Sequence, residues 1–185
     1  MKNLKRKVLI LLVATIVYSC GSPGNGEVIG SKNGFSTSDA DAIKKAVDGA
    51  YDIISFKQGH RMNFDSIRTV FIPEAQLMNF RSDSLQVLSL NEFIKAYEDF
   101  VKDNGVRSFF EKEIAGRTDQ FGKIAQRIST YASYINNPDS LTERGVNSFQ
   151  LVKTAGSWKV ASIIWDVERK SQPIPKFYLG DDSSK

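Results

Sequence analysis

The feature that most constrains this chain is a run of long predicted strands between Val106 and Val167. β-branched and aromatic residues alternate there with polar residues, and clusters of Gly, Asn, Asp and Pro interrupt the alternation. This pattern predicts antiparallel strands joined by hairpins, with the first turn at Thr118–Gln120. The predicted strands are Arg107–Arg117, Phe121–Ile135, Gly145–Lys153 and Trp158–Val167. Strands this long twist strongly, so the sheet should curl into a trough that the rest of the chain fills.

Three amphipathic segments precede this sheet, and their apolar residues recur at helical spacing. They predict helices at Ser38–Ser55, Phe64–Phe71 and Leu90–Asp103. Ser89 and Glu92 form a capping box at the start of the third helix. Two short strands are predicted between the second and third helices, at Ala75–Phe80 and Leu85–Leu88. The predicted fold class is α+β: a cone-shaped, curled, mixed or antiparallel sheet with three helices packed on its concave face.

The first nineteen residues predict a bacterial export signal. A basic cluster is followed by the apolar run Val8–Val17, which is too short to span a bilayer as a helix and is typical of a secretory signal. Cys20 is the only cysteine, so it cannot form an internal disulfide. Val17–Cys20 resembles a lipobox, in which the cysteine is diacylated and becomes the mature N-terminus. The alternative is a plain secretory signal with an incidental cysteine.

The lipobox resemblance predicts a signal peptide at residues 1–19 and lipid attachment at Cys20. A lipid anchor would make the membrane a partner of this chain. Gly21 and Ser22 lack the aspartate that retains lipoproteins in the inner membrane of enteric bacteria. We therefore predict a location in the bacterial cell envelope, anchored to the outer membrane.

The net charge of +4 belongs to this export signal. The chain has 25 basic and 21 acidic side chains, and residues 1–19 hold four basic residues and no acid. The rest of the chain therefore has 21 of each and no net charge. Without a surplus of positive charge it is poorly suited to hold phosphates, so we predict no nucleic-acid partner.

Two polar segments flank the predicted domain. Residues 20–36 are rich in Gly, Ser and Asn without periodicity, which indicates a flexible tether. Residues 169–185 form a polar tail that we expect to be partly disordered. The folded domain is therefore predicted to span residues 37–168.

The order of these elements resembles that of the nuclear transport factor 2-like superfamily, which includes the SnoaL-like proteins. The resemblance covers Thr37 to Glu168 and is carried by Phe71–Ala75, by Phe121–Gln126 with Ser129–Tyr131, and by Arg144–Leu151 with Trp158–Val160 and Trp165–Asp166. It implies a cone with a pocket between helices and sheet. These segments are similar to a bacterial branch with no settled activity. The superfamily includes isomerases, dehydratases, cyclases, carriers and interaction domains, so the resemblance implies a fold more than a function.

Enzymes of that superfamily use carboxylates, a Tyr and sometimes a His inside the cone. The segments Phe121–Ile135 and Gly145–Ile164 contain no acidic residue. Glu111 and Glu113 share a strand face with two arginines, which predicts a solvated outer face. The expected acid–base pair is thus missing, and we predict no catalytic residue.

The sequence also lacks the motifs of metal and cofactor sites. His60 is the single histidine, and it lies in a polar loop without a His/Cys cluster. No glycine-rich phosphate loop follows a strand, and no serine nucleophile motif is present. We therefore predict no metal site, no cofactor and a surface position for His60.

Four uncharged polar residues are predicted to line a ligand pocket. The even-numbered residues of Phe121–Ile135 are more apolar than the odd-numbered ones, so they should face the helices. Gln126 and Thr130 would then lie in an apolar cavity, which Tyr51 and Tyr97 reach from two helices. The alternative is that all four are hydrogen-bonded core residues, with the tyrosine hydroxyls at the rim.

Three functions stay open at this point. The first is a lipid-anchored envelope domain that binds a small apolar or amphipathic ligand or a protein partner without catalysis. The second is a SnoaL-like isomerase or hydro-lyase, and the third is a homodimeric scaffold with a filled pocket. Strict alternation along the predicted strand places Trp158 and Trp165 on opposite faces. One of them would then lie on the outer face and could mark a dimer interface. If the chain is an enzyme, we expect an ionisable group deep in the pocket. If it is a carrier, we expect an open apolar cavity, and if it is a scaffold, we expect a filled cavity.

Overall fold

The computed structural model describes residues 37–82 and 84–180 of the chain. This part contains two α-helices, two 3-10 turns and six strands. In chain order they are α1 (Thr37–Ile54), a first 3-10 turn (Phe64–Thr69), β1 (Phe71–Asn79), β2 (Gln86–Ser89), α2 (Leu90–Asp103), β3 (Phe109–Phe121), β4 (Ile124–Ile135), β5 (Glu143–Thr154), β6 (Ser157–Val167) and a second 3-10 turn (Lys176–Leu179). The predicted signal peptide, Cys20 and the predicted tether lie outside the described residues.

The six strands form one curled, unclosed sheet in the order β2-β1-β6-β5-β4-β3. β1 runs parallel to β6, and every other neighbouring pair is antiparallel. α1, the first 3-10 turn and α2 cover the concave face, where α1 contacts β3 and β6 and α2 contacts β1. The predicted α+β fold class is confirmed, although the second of the three predicted helices is a 3-10 turn. No helix among the described segments has the length and apolarity needed to cross a membrane.

The start of α2 is fixed by its capping box. The Ser89 hydroxyl oxygen accepts a hydrogen bond from the Glu92 N–H at 3.3 Å, and the Glu92 carboxylate accepts one from the Ser89 N–H at 2.8 Å. Two otherwise unpaired N–H groups are satisfied in this way. The helix then buries Leu90, Ile94 and Tyr97 against the sheet, and its bounds agree with the predicted ones.

The first hairpin turn lies at Gly122 and Lys123, so the predicted turn at Thr118–Gln120 is wrong. Thr118 pairs with Arg127, and the ladder continues to Phe121 opposite Ile124. Gly122 has a φ of 55°, in the left-handed region that glycine adopts without steric cost. Because the turn position sets the register of a hairpin, the turn at Gly122 and Lys123 determines which residues of β3 and β4 pair.

A bulge in β6 reverses the alternation of its side chains. In β6, Val160 pairs with Leu151 and Ser162 pairs with Gln150, so Ala161 is the extra residue. One extra residue moves every later side chain to the other face. Trp158 and Trp165 therefore both point to the concave side, where Trp158 is 6% exposed and Trp165 lines a cavity. The prediction that they lie on opposite faces is wrong.

The concave face of β4 carries its odd-numbered residues, which reverses the predicted orientation. Arg127, Ser129 and Tyr131 are buried there, whereas Gln126 is exposed on the outer face. Thr130 is also on the outer side, but it is buried because the chain after β6 covers it. The Thr130 hydroxyl donates a hydrogen bond to the carbonyl oxygen of Tyr178 at 2.5 Å. The even-numbered face of β4 thus lies on the side away from the helices, and the C-terminal segment packs against it at Thr130.

The segment after β6 is folded as far as Gly180. Arg169 and Gln172 form an isolated bridge, and the second 3-10 turn lies against β3 and β4. We predicted a partly disordered tail at residues 169–185, and its described part is a strap across the outer face of the sheet. Residues 181–185 lie outside the described part.

The sheet has two ends, which we name by their features. The tip end carries the β3–β4 turn at Gly122–Lys123 and the β5–β6 turn at Ala155–Gly156. The mouth end carries the paired residues Phe109 and Ile135 and the start of β5 at Glu143. The core is filled toward the tip end, where Ile43, Val47, Ile67, Leu151 and Val160 are fully or almost fully buried.

Helix α1 runs along the sheet from the tip end to the mouth end. At its first turn the Asp39 carboxylate accepts hydrogen bonds from Lys153 Nζ at 2.5 Å and Trp158 Nε1 at 3.4 Å. At its last turn the Ile54 carbonyl accepts one from the Tyr97 hydroxyl at 2.5 Å. The helix has 18 residues, so the two ends are about 27 Å apart along its axis.

Candidate functional site

A cavity of about 230 Å³ lies between the two helices and the sheet at the mouth end. Its apolar wall includes Phe71, Phe93, Phe100, Phe109, Phe149, Ile163 and Trp165. Its polar wall includes Asn79, Arg81, Glu111, Tyr131, Ser133, Glu143 and Asn147. Four of the lining residues, Arg81, Gln86, Ala96 and Thr142, are exposed, so the cavity opens to solvent at this end.

Two carboxyl groups reach the cavity from strands on either side of β4. Glu111 pairs with Ser133, and Ser133 pairs with Glu143, which places the three residues in one row across the sheet. Directly opposite residues on neighbouring strands have Cβ atoms about 5 Å apart and point to the same face. The predicted outer position of Glu111 and Glu113 is therefore wrong. Both share the inner face with the buried Phe109. The three residues are spaced two apart along the strand, so the sequence alone placed them on one face.

Glu111 is a cavity-lining carboxyl group whose pKa is strongly raised. Burial raises the pKa of its carboxyl to about 8, the charge of Glu143 adds to the shift, and Arg81 opposes it. No described residue donates a hydrogen bond to this carboxyl. Its backbone N–H donates to the Ser55 hydroxyl at 3.1 Å, which ties β3 to the end of α1. Near neutral pH Glu111 can therefore both hold and release a proton.

Glu143 has partners on both oxygens. Arg81 forms an ion pair with Oε2, and the Tyr131 hydroxyl donates to Oε1 at 2.8 Å. Burial and the charge of Glu143 raise the pKa of the Tyr131 phenol, so it remains a proton donor. Only one Arg81 nitrogen is used by Glu143, and the guanidinium keeps further N–H groups for a bound molecule.

A buried ion pair supports the cavity from the tip side. Glu113 and Arg127 have side chains that are 8% and 10% exposed, and Arg127 Nε lies 2.7 Å from Glu113 Oε2. Arg127 also donates to the Thr118 hydroxyl at 2.6 Å. Burial alone would raise the pKa of Glu113, but hydrogen bonds from Arg127 and Ser129 hold it below its usual range. Glu113 is thus a structural anion that does not face the cavity.

A chain of hydrogen bonds connects the Glu113 carboxylate to the cavity wall, and every donor in the chain points toward Glu113. Because a carboxylate only accepts, Ser129 donates to Glu113 at 2.7 Å. Ser129 must then accept from the Tyr51 hydroxyl at 2.7 Å, and Tyr51 accepts from Asn147 Nδ2 at 2.9 Å. The Asn147 amide nitrogen is therefore used within the protein, by the Tyr51 hydroxyl. This arrangement leaves the Asn147 carbonyl oxygen as the amide atom that can accept a hydrogen bond from a bound molecule.

The structure brings two of the four predicted lining residues together in the cavity. Tyr51 and Tyr97 line it, but the Tyr51 hydroxyl is used by Ser129 and Asn147 and the Tyr97 hydroxyl by Ile54. Gln126 and Thr130 lie on the outer face of β4, away from the cavity. His60 is exposed in its loop. Within residues 37–82 and 84–180, no group of three or more His, Cys, Asp or Glu residues could hold a metal ion.

Comparison with known proteins gives a likeness of fold. No protein-family model and no curated relative matches the sequence. A nuclear transport factor 2-like protein of unknown function from Pseudomonas putida superposes with a TM-score of 0.59 at 10% identity, over 77% of this chain and 96% of that one. A second such protein, from Silicibacter pomeroyi, gives 0.51 at 16% identity, over 72% and 100%.

An enzyme candidate is similar in the same way. A candidate scytalone dehydratase from Novosphingobium aromaticivorans superposes with a TM-score of 0.55 at 13% identity, over 71% of this chain and 85% of that one. Identities this low carry the fold and not the activity. The cone of six strands with its cavity at the mouth end is therefore the fold of the nuclear transport factor 2-like proteins, and this chain has that fold.

Proposed function

We propose that this chain binds a small amphipathic molecule in the cavity at the mouth end and exchanges a proton with it through Glu111. The reaction is of the isomerase or hydro-lyase type. The observation that carries the proposal is a carboxyl group with a pKa near neutrality inside a largely apolar cavity. The hypothesis of a non-catalytic domain depended on the absence of such a group.

The rest of the cavity wall suits proton transfer beside a carbonyl group. Arg81 offers N–H groups to the oxygen on which negative charge develops, and its pairing with Glu143 fixes its position. The Asn147 carbonyl oxygen accepts a hydrogen bond from a hydroxyl group of the substrate. Aromatic rings on the opposite wall cover its apolar part. The volume is just below the range of about 300–1,000 Å³ typical of drug-sized ligands, so the substrate is small.

A carrier without catalysis is the second candidate, because the same apolar wall would serve it. The two functions differ in what Glu111 does once a molecule is bound. A filled-pocket scaffold agrees less well with a cavity that stays open to solvent.

The test is the exchange of carbon-bound hydrogen for deuterium in D₂O, monitored by NMR. A panel of small ketones and hydroxy-ketones is incubated with the full chain and with Glu111→Gln. Glu74→Gln serves as the control because Glu74 is exposed outside the cavity. We expect exchange that Glu111→Gln slows by at least about 100-fold and Glu74→Gln leaves unchanged. Binding without exchange would identify a carrier, and equal exchange in both variants would remove Glu111 as the base.

We also propose that the chain is anchored in the bacterial envelope by lipid on Cys20. The basic cluster, the short apolar run and the single cysteine support this location. The test is Cys20→Ala in cells. It should release the protein from the membrane fraction, and unchanged membrane association would contradict the lipid anchor.

A further inference from the structure

The folded part of the chain begins at the tip end of the sheet. α1 starts at Thr37, and the contacts of Asp39 with Lys153 and Trp158 fix its first turn beside the ends of β5 and β6. An anchor on the residues before Thr37 would therefore be connected to the domain at the tip end of the sheet. The cavity opens at the other end, about 27 Å away along α1.

The tip end also presents the two most exposed large hydrophobic side chains of the described residues. Phe121 is 84% exposed and Ile124 is 59% exposed, and they flank the turn residues Gly122 and Lys123. The turn does not stand alone, because the Lys153 N–H donates to the Lys123 carbonyl at 2.8 Å. The apolar pair is thus held outward on a braced hairpin with a lysine between its members.

Charge near this turn is mixed, and Lys123 is an exposed cation in the turn itself. Arg117 lies 3.9 Å from Asp119, and Lys153 is paired with Asp39. Lys123 forms no ion pair with a described residue. An exposed aromatic and an aliphatic side chain around a lysine match the boundary between acyl chains and head groups, where apolar groups enter and the ammonium stays in water.

The number of residues before α1 limits how far the tip end can lie from a lipid on Cys20. Sixteen residues separate Cys20 from Thr37. A random-coil chain of sixteen residues has a root-mean-square end-to-end distance of about 20–25 Å. That span is comparable to the length of the domain itself, so a lipid on Cys20 would keep the tip end nearer to the bilayer than the mouth end.

We propose that the β3–β4 tip contacts the interface of the bilayer that holds Cys20, with Phe121 and Ile124 inserted and the cavity opening away from the membrane. This inference depends on the lipid anchor proposed above. It assigns the ligand to the aqueous compartment, because a molecule from the bilayer would have to travel the length of the domain to reach the mouth.

The test uses full-length lipidated protein in phosphatidylethanolamine–phosphatidylglycerol vesicles. Acylation consumes the only native thiol, so Lys123→Cys and Ser140→Cys each give a single position for an environment-sensitive fluorophore. Ser140 is an exposed residue in the β4–β5 turn at the mouth end. We expect the label at position 123 to shift to the blue and to be quenched by nitroxide-labelled lipids, and the label at position 140 to remain in water.

Two controls make the outcome decisive. Adding Phe121→Ser and Ile124→Ser to the Lys123→Cys protein should abolish the quenching while the protein stays on the vesicles. A thiol that still reacts in the parent protein would show that Cys20 carries no lipid, which would remove the anchor and this inference with it. In a protein that does carry lipid, a label at position 123 that stays in water overturns the tip contact alone. Shielding that depends on protein concentration and needs no vesicles would also overturn it, because a second copy would then cover the tip.

Discussion

The Tyr131 hydroxyl on β4 donates a hydrogen bond to Glu143 Oε1 on β5 at 2.8 Å, and a glycine makes this geometry available. The Tyr131 side chain lies over Gly145, where an added Cβ would come within 2.4 Å of the Asp166 carbonyl oxygen and 2.6 Å of the Tyr131 hydroxyl oxygen. A side chain at position 145 would push the ring away from Glu143, and Glu143 holds Arg81 at the rim of the cavity. The positions of Tyr131, Glu143 and Arg81 in the cavity wall thus depend on Gly145, which does not itself line the cavity.

Gly145→Ala should destabilise the chain by about 1–3 kcal/mol, because the extra methyl group overpacks a buried position. Gly49→Ala is the matched control: its Cβ would meet only Val70 Cγ1 at an ordinary 3.8 Å, and alanine in a helix should add about 0.5–1 kcal/mol. Urea unfolding of both variants measures the difference. A Gly145→Ala protein as stable as the parent would show that both the Tyr131 ring and the Asp166 backbone can move aside without cost.

Folding stability should fall as pH rises from about 4.5 to about 8. Glu111 has a raised pKa in the folded chain, about 8 against 4.5 for an unperturbed carboxyl, so in this window the folded chain keeps a proton that the unfolded chain releases. The free energy of unfolding then decreases by at most about 1.4 kcal/mol per pH unit from this group.

Glu111→Gln should flatten that slope, and Glu74→Gln should not. Chemical denaturation at several pH values between 5 and 9 measures it. The carboxyl groups whose pKa is lowered, such as those of Glu113 and Asp166, lose their stabilising contribution only at lower pH. An unchanged slope in Glu111→Gln would contradict the raised pKa.

Arg127→Met should cost about 3–5 kcal/mol, because it leaves the buried Glu113 carboxylate without its cation. The double variant Glu113→Leu with Arg127→Met should be more stable than Arg127→Met alone, since no unpaired charge remains. Urea unfolding of the single and double variants gives the coupling. Equal instability of the two would indicate that the volume of Arg127 matters and its charge does not.

Thr130→Val should loosen the C-terminal strap at a cost of about 0.5–1.5 kcal/mol, the net contribution of one hydrogen bond. Hydrogen–deuterium exchange of residues 176–180 should become faster, whereas Thr154→Val, at an exposed strand end, should not change it. If exchange stays as slow as in the parent, contacts other than the Tyr178 carbonyl hold the strap.

Local chemistry allowed parts of the fold to be predicted from the sequence, and irregular pairing hid the site. Ser89 and Glu92 identified the start of α2 because a capping box is a short-range pattern. Glu111 was predicted on the outer face because Arg117 was counted on the same face, and no local pattern marked the bulge between Glu113 and Ala115 that places Arg117 on the other one. The apolar even-numbered face of β4 misled for another reason: Thr130 is buried by residues that follow β6, a contact that no periodicity records.

The parallel pairing of β1 with β6 determines when the cavity can form during synthesis of the chain. Leu77 pairs with Ile163, and Asn79 beside the cavity pairs with Trp165. One wall of the cavity therefore comes from the first strand of the sheet and its neighbour from the last. Contacts so distant along the chain close late and slow folding. A chain emerging from the ribosome therefore has no complete cavity until β6 has been synthesised.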